Sequence, residues 1–392
     1  MDVFQKEQSI FFHTYKRLHL DIDRGEGCTL YAKDGKQYLD FFGGLAVNAL
    51  GYSHPKVLAA IEKQIRRYIH LSNYYVQDPQ VELAERLIGI SGFRRVFFSN
   101  SGTEAVEGAI KLARKWGKGR GKTDLLSLSN SFHGRTMGAL SLTERPKYRE
   151  GYEPFLENTG HIRFNDVAAL RGTVNEHTLG IILEFIQGEG GINVVSQEFA
   201  TELAALRDRY GFLVIADEIQ AGIGRTGKFF AFEHFGLRPD VIVFAKAIGG
   251  GLPLGGFLGN ERVEDVFSYG AHGTTFGGNP VACAAGIATF DEIVRGGLMQ
   301  HAAEIGVYMK EKVTALQAEF PGIIAEFRGF GCMLGIDLRR EAQSVVDELQ
   351  LRGILVNCTN TTVIRLLPPL IIQREHCDRL MSELRSIFST LK

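Results

Sequence analysis

The chain has 392 residues, of which 45% are apolar and 23% charged, values typical of folded globular proteins and not of disordered, fibrous or membrane-embedded ones. The 44 Lys and Arg balance 45 Asp and Glu, so no overall field would attract a nucleic-acid backbone or an anionic membrane. Any anion site must therefore be formed by local groups. At about 150 residues per domain, the length predicts two or three domains.

Glycine and cysteine usage narrow the class further. The 46 glycines are clustered and not periodic, which excludes a collagen-like repeat and indicates sites built from backbone. The five cysteines lie far apart without a Cys-x-x-Cys pair, so they indicate neither a disulfide framework nor a zinc cluster. No leader-like segment begins the chain, and no apolar run approaches the ~18 residues of a membrane span. We expect a cytoplasmic protein with no metal and no nucleic-acid or membrane partner.

The predicted elements begin with short strands in the first 50 residues, where Asp34-Gly35 is a hairpin signal. From about residue 94 to 258, apolar strand-like runs alternate with helical patterns. Runs that are apolar on both faces are typical of a buried, mostly parallel sheet. The strands are predicted at 95–98, 124–128, 180–183, 212–216 and 241–245, and two of the helices at 103–116 and 197–210.

After about residue 285 the pattern changes to amphipathic helices at 301–320 and 374–391, around short strands near 331–338 and 362–367. This pattern predicts a smaller α+β domain. The sequence therefore predicts an α/β protein with three parts. A large, doubly wound and mostly parallel sheet domain spans 51–285, and a segment at 1–50 packs with a small domain at 286–392.

Two glycine-rich segments resemble phosphate loops but lack the required context. The segment 222–227 matches G-x-G-x-x-G, yet residues 217–221 separate it from the preceding strand and no amphipathic helix follows. This favours a structural loop, with a nicotinamide-dependent oxidoreductase as the alternative from a different class. The segment 117–123 resembles a Walker loop, but Trp116 stands where the first glycine is required, so a solvated basic turn is predicted.

Three other positions have groups suited to ligand binding or catalysis. Asn100 to Thr103 join a strand to a helix start, where N–H groups and hydroxyls suit a phosphate, although plain helix capping explains them equally well. Asp217 ends a buried strand and needs a cation or a protonated nitrogen opposite it. Lys246 follows an apolar strand, which favours a paired or reactive lysine over a snorkelling one. Together these are the parts that hold pyridoxal 5′-phosphate.

The motifs around these positions resemble the class III, or ornithine-type, pyridoxal-phosphate aminotransferases, and within them most closely the acetylornithine type. The resemblance covers nearly the whole chain and implies fold type I of the pyridoxal-phosphate enzymes. The motifs include NSGTEA at 100–105, SFHGRT at 131–136, QGEGG at 187–191, DEIQ at 217–220, GRTG at 224–227, TTFGGNP at 274–280 and RLLPPL at 365–370.

The resemblance implies roles in holding pyridoxal 5′-phosphate. Lys246 would form the Schiff base with its aldehyde and, once released, act as the catalytic base, while Asp217 would pair with the ring nitrogen. Phe132 would stack on the ring, and Gln220 would hydrogen-bond its phenolic oxygen. A homodimer with shared active sites is implied, because the phosphate would be held by Ser101, Gly102, Thr103 and the partner subunit's Thr275.

The implied reaction moves the terminal amino group of N2-acetyl-L-ornithine to 2-oxoglutarate in arginine biosynthesis. Arg135 would bind the carboxylate far from the reacting amine, and Arg365 the α-carboxylate of glutamate or 2-oxoglutarate. Glu189 would pair with Arg365 when the other amino donor is bound, and Tyr15 would assist carboxylate binding. Succinylornithine, acyl-diaminopimelate, carrier-linked lysine and ornithine stay open as donors, as does a non-catalytic carrier of the cofactor.

Some positions depart from the family pattern. Phe185 stands where the family ordinarily has proline, and Ala247 replaces a frequent glycine after the lysine. Neither change removes a functional group. Phe185 alters the backbone constraint beside Glu189, so it bears on where that carboxylate lies.

Overall fold

The computed structural model describes residues 2–391. Its strands are β1 (Ile22–Glu26), β2 (Thr29–Ala32), β3 (Gln37–Asp40), β4 (Arg95–Ser99), β5 (Asp124–Leu128), β6 (Thr159–Ile162), β7 (Thr178–Leu183), β8 (Ile186–Gln187), β9 (Asn193–Val194), β10 (Leu213–Asp217), β11 (Val241–Phe244), β12 (Gly255–Gly259), β13 (Ile324–Phe330), β14 (Met333–Leu338), β15 (Ile354–Leu355), β16 (Asn357–Thr359) and β17 (Val363–Leu366).

The helices are α1 (Val3–Ile10), α2 (Gly43–Ala46), α3 (Pro55–Ile65), α4 (Asp78–Ser91), α5 (Gly102–Gly117), α6 (Met137–Leu142), α7 (Pro146–Arg149), α8 (Val167–Thr173), α9 (Gln197–Tyr210), α10 (Pro280–Arg295), α11 (Leu298–Glu319), α12 (Gln343–Leu351) and α13 (Arg374–Thr390). Short 3₁₀ turns lie at Ala231–His234 and Lys246–Gly249. Among residues 2–391, no helix is both long enough and apolar enough to cross a membrane.

The central sheet has the strand order β4-β12-β11-β10-β7-β5-β6. All neighbours in it run parallel except β12, which is antiparallel to both β11 and β4. Strands β7 and β10 are buried along their whole length, because helices cover both faces of such a sheet. The predicted mostly parallel, doubly wound sheet is therefore what the chain forms.

The first strands form a second sheet with a strand from the far end of the chain. The Asp34-Gly35 turn joins β2 to β3 as an antiparallel pair, and Gly35 has a φ of +87°, a conformation that suits glycine. Strand β15 then adds to β3 in parallel, with the Leu39 N–H donating to the Gly353 carbonyl at 2.9 Å. The N-terminal strands are thus anchored on the C-terminal part of the chain.

A third sheet, in the order β13-β14-β17-β16, is antiparallel throughout. The strand predicted at 331–338 is in fact the second arm of a hairpin, and β13 was not predicted. The strand begins only at Met333 because Gly331 lies in the turn, with a φ of +55°. In this sheet Asn357 of β16 lies opposite Arg365 of β17.

The basic turn after α5 differs from the prediction at one residue. Lys118 is exposed, as expected of a solvated turn. Lys122 is half-buried, and its ammonium donates to the carbonyls of Glu176, Thr178 and Tyr210 at 3.2, 3.3 and 2.7 Å. The prediction of a solvated turn is therefore wrong for Lys122. Its three hydrogen bonds connect the turn to neighbouring segments of the chain.

Candidate active site

A cavity of about 570 Å³ opens at the C-terminal ends of β4, β10 and β11. The carboxyl edge of such a sheet is where ligands bind in open α/β folds. Most of the residues predicted for the site line it, namely Tyr15, Ser101, Gly102, Thr103, Phe132, Arg135, Asp217, Gln220 and Lys246. The local signals at three strand ends therefore converge on one cavity.

Lys246 stands just past the end of β11 in a strained backbone conformation. Its φ is +52°, in the left-handed region that costs a non-glycine residue on the order of 1 kcal/mol or more. Burial and the positive charge of Arg365 lower the pKa of its amine to about 8, against the opposing effect of nearby carboxylates such as Glu189. A lysine with this pKa is partly neutral near physiological pH, which suits a nucleophile or a base.

Asp217 is the last residue of β10, and its side chain is buried. One carboxylate oxygen, Oδ2, lies 2.6 Å from Nδ1 of His133, and the other accepts the Ile219 N–H at 3.1 Å. The predicted partner of this carboxylate was a cation or a protonated nitrogen, and within this chain it is an imidazole. His133 belongs to a motif noted in the sequence, but sequence reasoning assigned it no role.

His133 keeps one polar atom free for another contact. Its ring is buried, and Nε2 has no hydrogen-bond partner among residues 2–391. A buried polar atom in this position is costly unless water or a ligand reaches it.

Glu184 is a second buried carboxylate that sequence reasoning missed as a site residue. It follows β7 directly, and its two oxygens accept the N–H groups of Phe132 and Gly188, each at 3.0 Å. Burial raises its pKa to about 7, with His133 opposing the shift and Asp217 adding to it. Its position one residue after a buried strand, like that of Asp217 at a strand end, was the signal available in the sequence.

The start of α5 forms a cradle for an anion. Ser101 caps this helix, because its Oγ accepts the Glu104 N–H at 3.3 Å. A Cβ on Gly102 would lie 2.8 Å from Cδ1 of Ile219, so a larger residue there would need the Ile219 side chain to shift. The free N–H groups of the helix start and the Thr103 side chain at the cavity wall are suited to a phosphate. Capping and anion binding are therefore compatible at this helix.

Arg365 and Glu189, which we call the gate, lie against each other beside the cavity. Arg365 is 1% exposed, and its Nη1 lies 2.6 Å from Oε1 of Glu189 and 3.3 Å from Oε1 of Gln220, which lines the cavity. Burial acts to raise the pKa of Glu189, but the charges of Arg365 and Lys246 outweigh it and lower that pKa. The structure thus brings together two residues far apart in sequence as an ion pair.

Of the remaining predicted residues, Arg135, Phe132 and Tyr15 line the cavity, and Thr275 does not. The Arg135 guanidinium stacks on the ring of Tyr148 at 3.8 Å, and Phe132 meets the same ring edge-on at 5.5 Å. Tyr15 is 75% exposed. Thr275 is exposed and does not line this chain's cavity.

Phe185 does not displace the gate. Its side chain is buried and lies 5.2 Å from the ring of Phe235, and its carbonyl accepts the Val195 N–H at 3.0 Å. The ring therefore occupies the protein core, and Glu189 still reaches Arg365.

Comparison with known proteins places the chain in a family. The model of the class-III aminotransferases matches residues 10–388. The acetylornithine aminotransferase of Aquifex aeolicus is 46% identical over 378 residues, which are 96% of this chain and 98% of the relative. That of Methanocaldococcus jannaschii is 42% identical over 389 residues, 98% of each chain.

Solved structures share the whole fold. The ornithine aminotransferase of Toxoplasma gondii ME49 superposes with a TM-score of 0.94 at 29% identity, over 99% of this chain and 94% of that one. A second structure of the Toxoplasma gondii enzyme, with a TM-score of 0.92 at 29% identity over 98% of this chain and 93% of that one, is described with partial occupancy of PLP at its active site. The acetylornithine aminotransferase of Elizabethkingia anophelis gives 0.89 at 31% identity, over 99% and 98%. The family predicted from the motifs is confirmed, and this chain belongs to the class III aminotransferases.

Proposed function

We propose that this aminotransferase moves the terminal amino group of N2-acetyl-L-ornithine to 2-oxoglutarate, giving N-acetylglutamate semialdehyde and glutamate in arginine biosynthesis. The names of the most similar relatives support this substrate. The observation that carries the proposal is the Glu189–Arg365 ion pair at the cavity, with 2.6 Å between the charged atoms.

The residues of the cavity fit pyridoxal 5′-phosphate, the cofactor of the family. Ser101, Gly102 and Thr103 line the cavity at the start of α5, where the free N–H groups of a helix start suit a phosphate. Asp217 is oriented by His133 and would hold the ring nitrogen, while Lys246 offers an amine to the aldehyde. When bound, the cofactor supplies an electron sink that lets a proton leave the carbon bearing the amine.

Lys246 would act as the base of the reaction. Its pKa of about 8 lets the amine accept a proton from the amine-bearing carbon of the substrate and return it, since both charge states are accessible near neutral pH. Asp217 would keep a positive charge on the ring nitrogen, because its buried carboxylate is held for that contact by His133 on the other side.

The gate explains how one site takes two unlike substrates. Glutamate carries a carboxylate beside its reacting amine, whereas acetylornithine carries only a CH₂ group there. A lone Arg365 would then be an uncompensated buried cation in one half-reaction, and breaking a buried pair costs about 3–5 kcal/mol. Glu189 supplies the counter-charge when acetylornithine is bound and moves aside when a substrate carboxylate takes its place.

Arg135 would bind the distal carboxylate of both substrates, with Tyr15 assisting. Both residues line the cavity, and no carboxylate among the described residues forms a salt bridge with Arg135. Its guanidinium rests on Tyr148, which orients the planar group for a two-point contact with a carboxylate.

The other candidate donors share a terminal amine and a distal carboxylate with acetylornithine. The substrate is therefore tested with a panel of amino donors. Acetylornithine, succinylornithine, acyl-diaminopimelate, carrier-linked lysine and ornithine are each offered with 2-oxoglutarate, and kcat/KM is compared. We expect acetylornithine to give the highest value, and a higher value for another donor would replace the proposed substrate. Family membership decides against the nicotinamide oxidoreductase and the non-catalytic carrier.

We further propose a homodimer in which the partner subunit's Thr275 completes the phosphate site. The loop that bears Thr275 is tied to the neighbouring segment 72–76, because Asn73 donates to the Thr274 carbonyl at 3.1 Å. Side chains around it are apolar and exposed, a pattern typical of interfaces. They include Tyr74 at 98%, Val76 at 90% and Phe276 at 57% exposure. Sedimentation should show a dimer, and a fully active monomer would contradict the proposal.

We also propose a domain division and a cellular location. The division into 1–50, 51–285 and 286–392 is supported by the pairing of β3 with β15, and limited proteolysis near residues 50 and 285 would test it. A cytoplasmic location is supported by the five cysteines, all free thiols, four of them buried, and cell fractionation would test it.

A further inference from the structure

Strand β16 (Asn357–Thr359) contacts both members of the gate. It is an edge strand of the C-terminal sheet, paired only with β17 among the described strands. Oδ1 of Asn357 accepts from Nε of Arg365 at 2.8 Å. Two residues on, Oγ1 of Thr359 donates to the Glu189 carbonyl at 2.7 Å. Alternate residues of a strand face the same side, so one strand holds the side chain of the cation and the backbone of the anion.

The Asn357 contact uses only Nε of Arg365. The edge that carries Nη1 can therefore exchange the Glu189 carboxylate for a substrate carboxylate. Arg365 uses Nε for Asn357 and Nη1 for Glu189 and Gln220. Because the two contacts use different nitrogens, the Nε contact can remain when the Glu189 carboxylate moves away, and it would then hold the plane of the guanidinium in place. A fixed plane is what two-point binding of an incoming carboxylate requires.

The lack of charge on the Asn357 side chain matters as much as its position. The amide of Asn357 is neutral, so it orients Arg365 without cancelling its charge. An aspartate at the same place would be a permanent counter-charge, and a substrate carboxylate would then compete with it. No such competition arises for acetylornithine, which brings no carboxylate to Arg365.

We propose that Asn357 is a specificity-determining positioning residue, which fixes Arg365 through both half-reactions while leaving its charge available to the α-carboxylate of glutamate or 2-oxoglutarate. This inference rests on the proposed gate. Thr359 complements Asn357, because it holds the Glu189 backbone still while the carboxylate moves.

The test is Asn357→Asp in the holoenzyme, with each half-reaction followed separately in single turnovers by the absorbance of the bound cofactor. We expect kcat/KM for glutamate to fall at least about tenfold, through weaker binding, and that for acetylornithine to stay within about twofold. A retained acetylornithine half-reaction also shows that the variant is folded. Equal slowing of both half-reactions, or an unchanged glutamate half-reaction, would overturn the proposal.

Asn360→Asp is the matched control. It makes the same change of charge three residues along the chain, at an exposed side chain. Both half-reactions should keep their wild-type rates. A selective loss with glutamate in this variant would show that the effect is long-range charge and not the contact at Nε, and would overturn the role of Asn357.

Two further variants separate this inference from the gate itself. If Glu189→Gln slows both half-reactions alike, the gate is wrong, and Asn357 loses its basis with it. If Glu189→Gln impairs acetylornithine selectively while Asn357→Asp is not selective, only the inference about Asn357 fails. The double variant should regain acetylornithine turnover relative to Glu189→Gln, because the new aspartate supplies the missing charge, and no recovery would contradict the charge argument.

Should Asn357→Asp not accumulate as holoenzyme, Asn357→Leu makes a complementary test. Leucine removes the acceptor for Nε without adding charge, so the guanidinium loses its tether and the glutamate half-reaction should again fall more than the other. Equal effects on both half-reactions would overturn the positioning role.

Discussion

Two groups of ionisable side chains flank the cavity, and they are held in different ways. The floor, which we define as Asp217, His133 and Glu184, is held mainly by backbone N–H groups and by the imidazole. The gate carboxylate of Glu189 has its hydrogen bond to one side chain, Arg365. A carboxylate fixed by backbone cannot leave without unpaired N–H groups, whereas one held by a side chain can be replaced by a substrate carboxylate. We therefore expect the floor to stay rigid and the Glu189 carboxylate to move.

Lys246 feels the charges of both the floor and the gate, and its loss should have the largest effect. Lys246→Ala would remove both the proposed covalent anchor and the proposed base, so turnover should fall by several orders of magnitude in a steady-state assay. The anion cradle at α5 is untouched, and the variant should still bind cofactor. Lys118→Ala, at an exposed lysine, is the control. Near wild-type turnover would mean that another lysine holds the cofactor.

Breaking the gate should bias the two half-reactions in opposite directions. Glu189→Ala should preserve or improve the glutamate half-reaction and impair that of acetylornithine, because only the latter needs the counter-charge. Arg365→Ala should damage the glutamate side more. The effects draw on a buried pair whose disruption costs about 3–5 kcal/mol. Single-turnover rates of each half-reaction measure the bias, and the same factor in both would remove the distinction between gate and floor.

Changing the floor should affect both half-reactions equally. In Glu184→Gln one oxygen becomes an NH₂ group that cannot accept from Phe132 or Gly188. One buried N–H then lacks a partner, at a cost of about 1–3 kcal/mol. We expect equal slowing with glutamate and acetylornithine in single turnovers. A slowing confined to one substrate would show that Glu184 belongs with the gate.

The pH dependence of cofactor capture gives the smallest and most specific effect. The pKa of Lys246 is lowered to about 8, so its neutral fraction rises with pH and is already about a tenth at pH 7. The rate at which apoprotein attaches the cofactor should therefore rise through pH 8 and level off above it. Stopped-flow absorbance measures this rate. A rise that continues to pH 10 would mean that the amine is not desolvated by the site.

Local patterns in the sequence were enough for several parts of this molecule. The apolar runs predicted the central strands, because a strand covered on both faces must be apolar throughout. The residues that end or follow those strands, Asp217 and Lys246 among them, converge on one cavity because parallel strands bring their carboxyl ends to one edge. The motifs and their order along the chain then predicted the family, and the comparisons confirm it.

Other parts were decided only by tertiary packing. His133 meets Asp217, 84 residues away, and Asn357 meets Arg365 through the register of two strands. Neither contact leaves a local signal, because a hydrogen-bond partner is selected by distance in space and not along the chain. Lys122 shows the same limit, since three carbonyls from other segments turned an expected solvated lysine into a half-buried one. By itself the sequence thus determined the family and most of the residues that line the cavity, while folding decided which partners orient each of them.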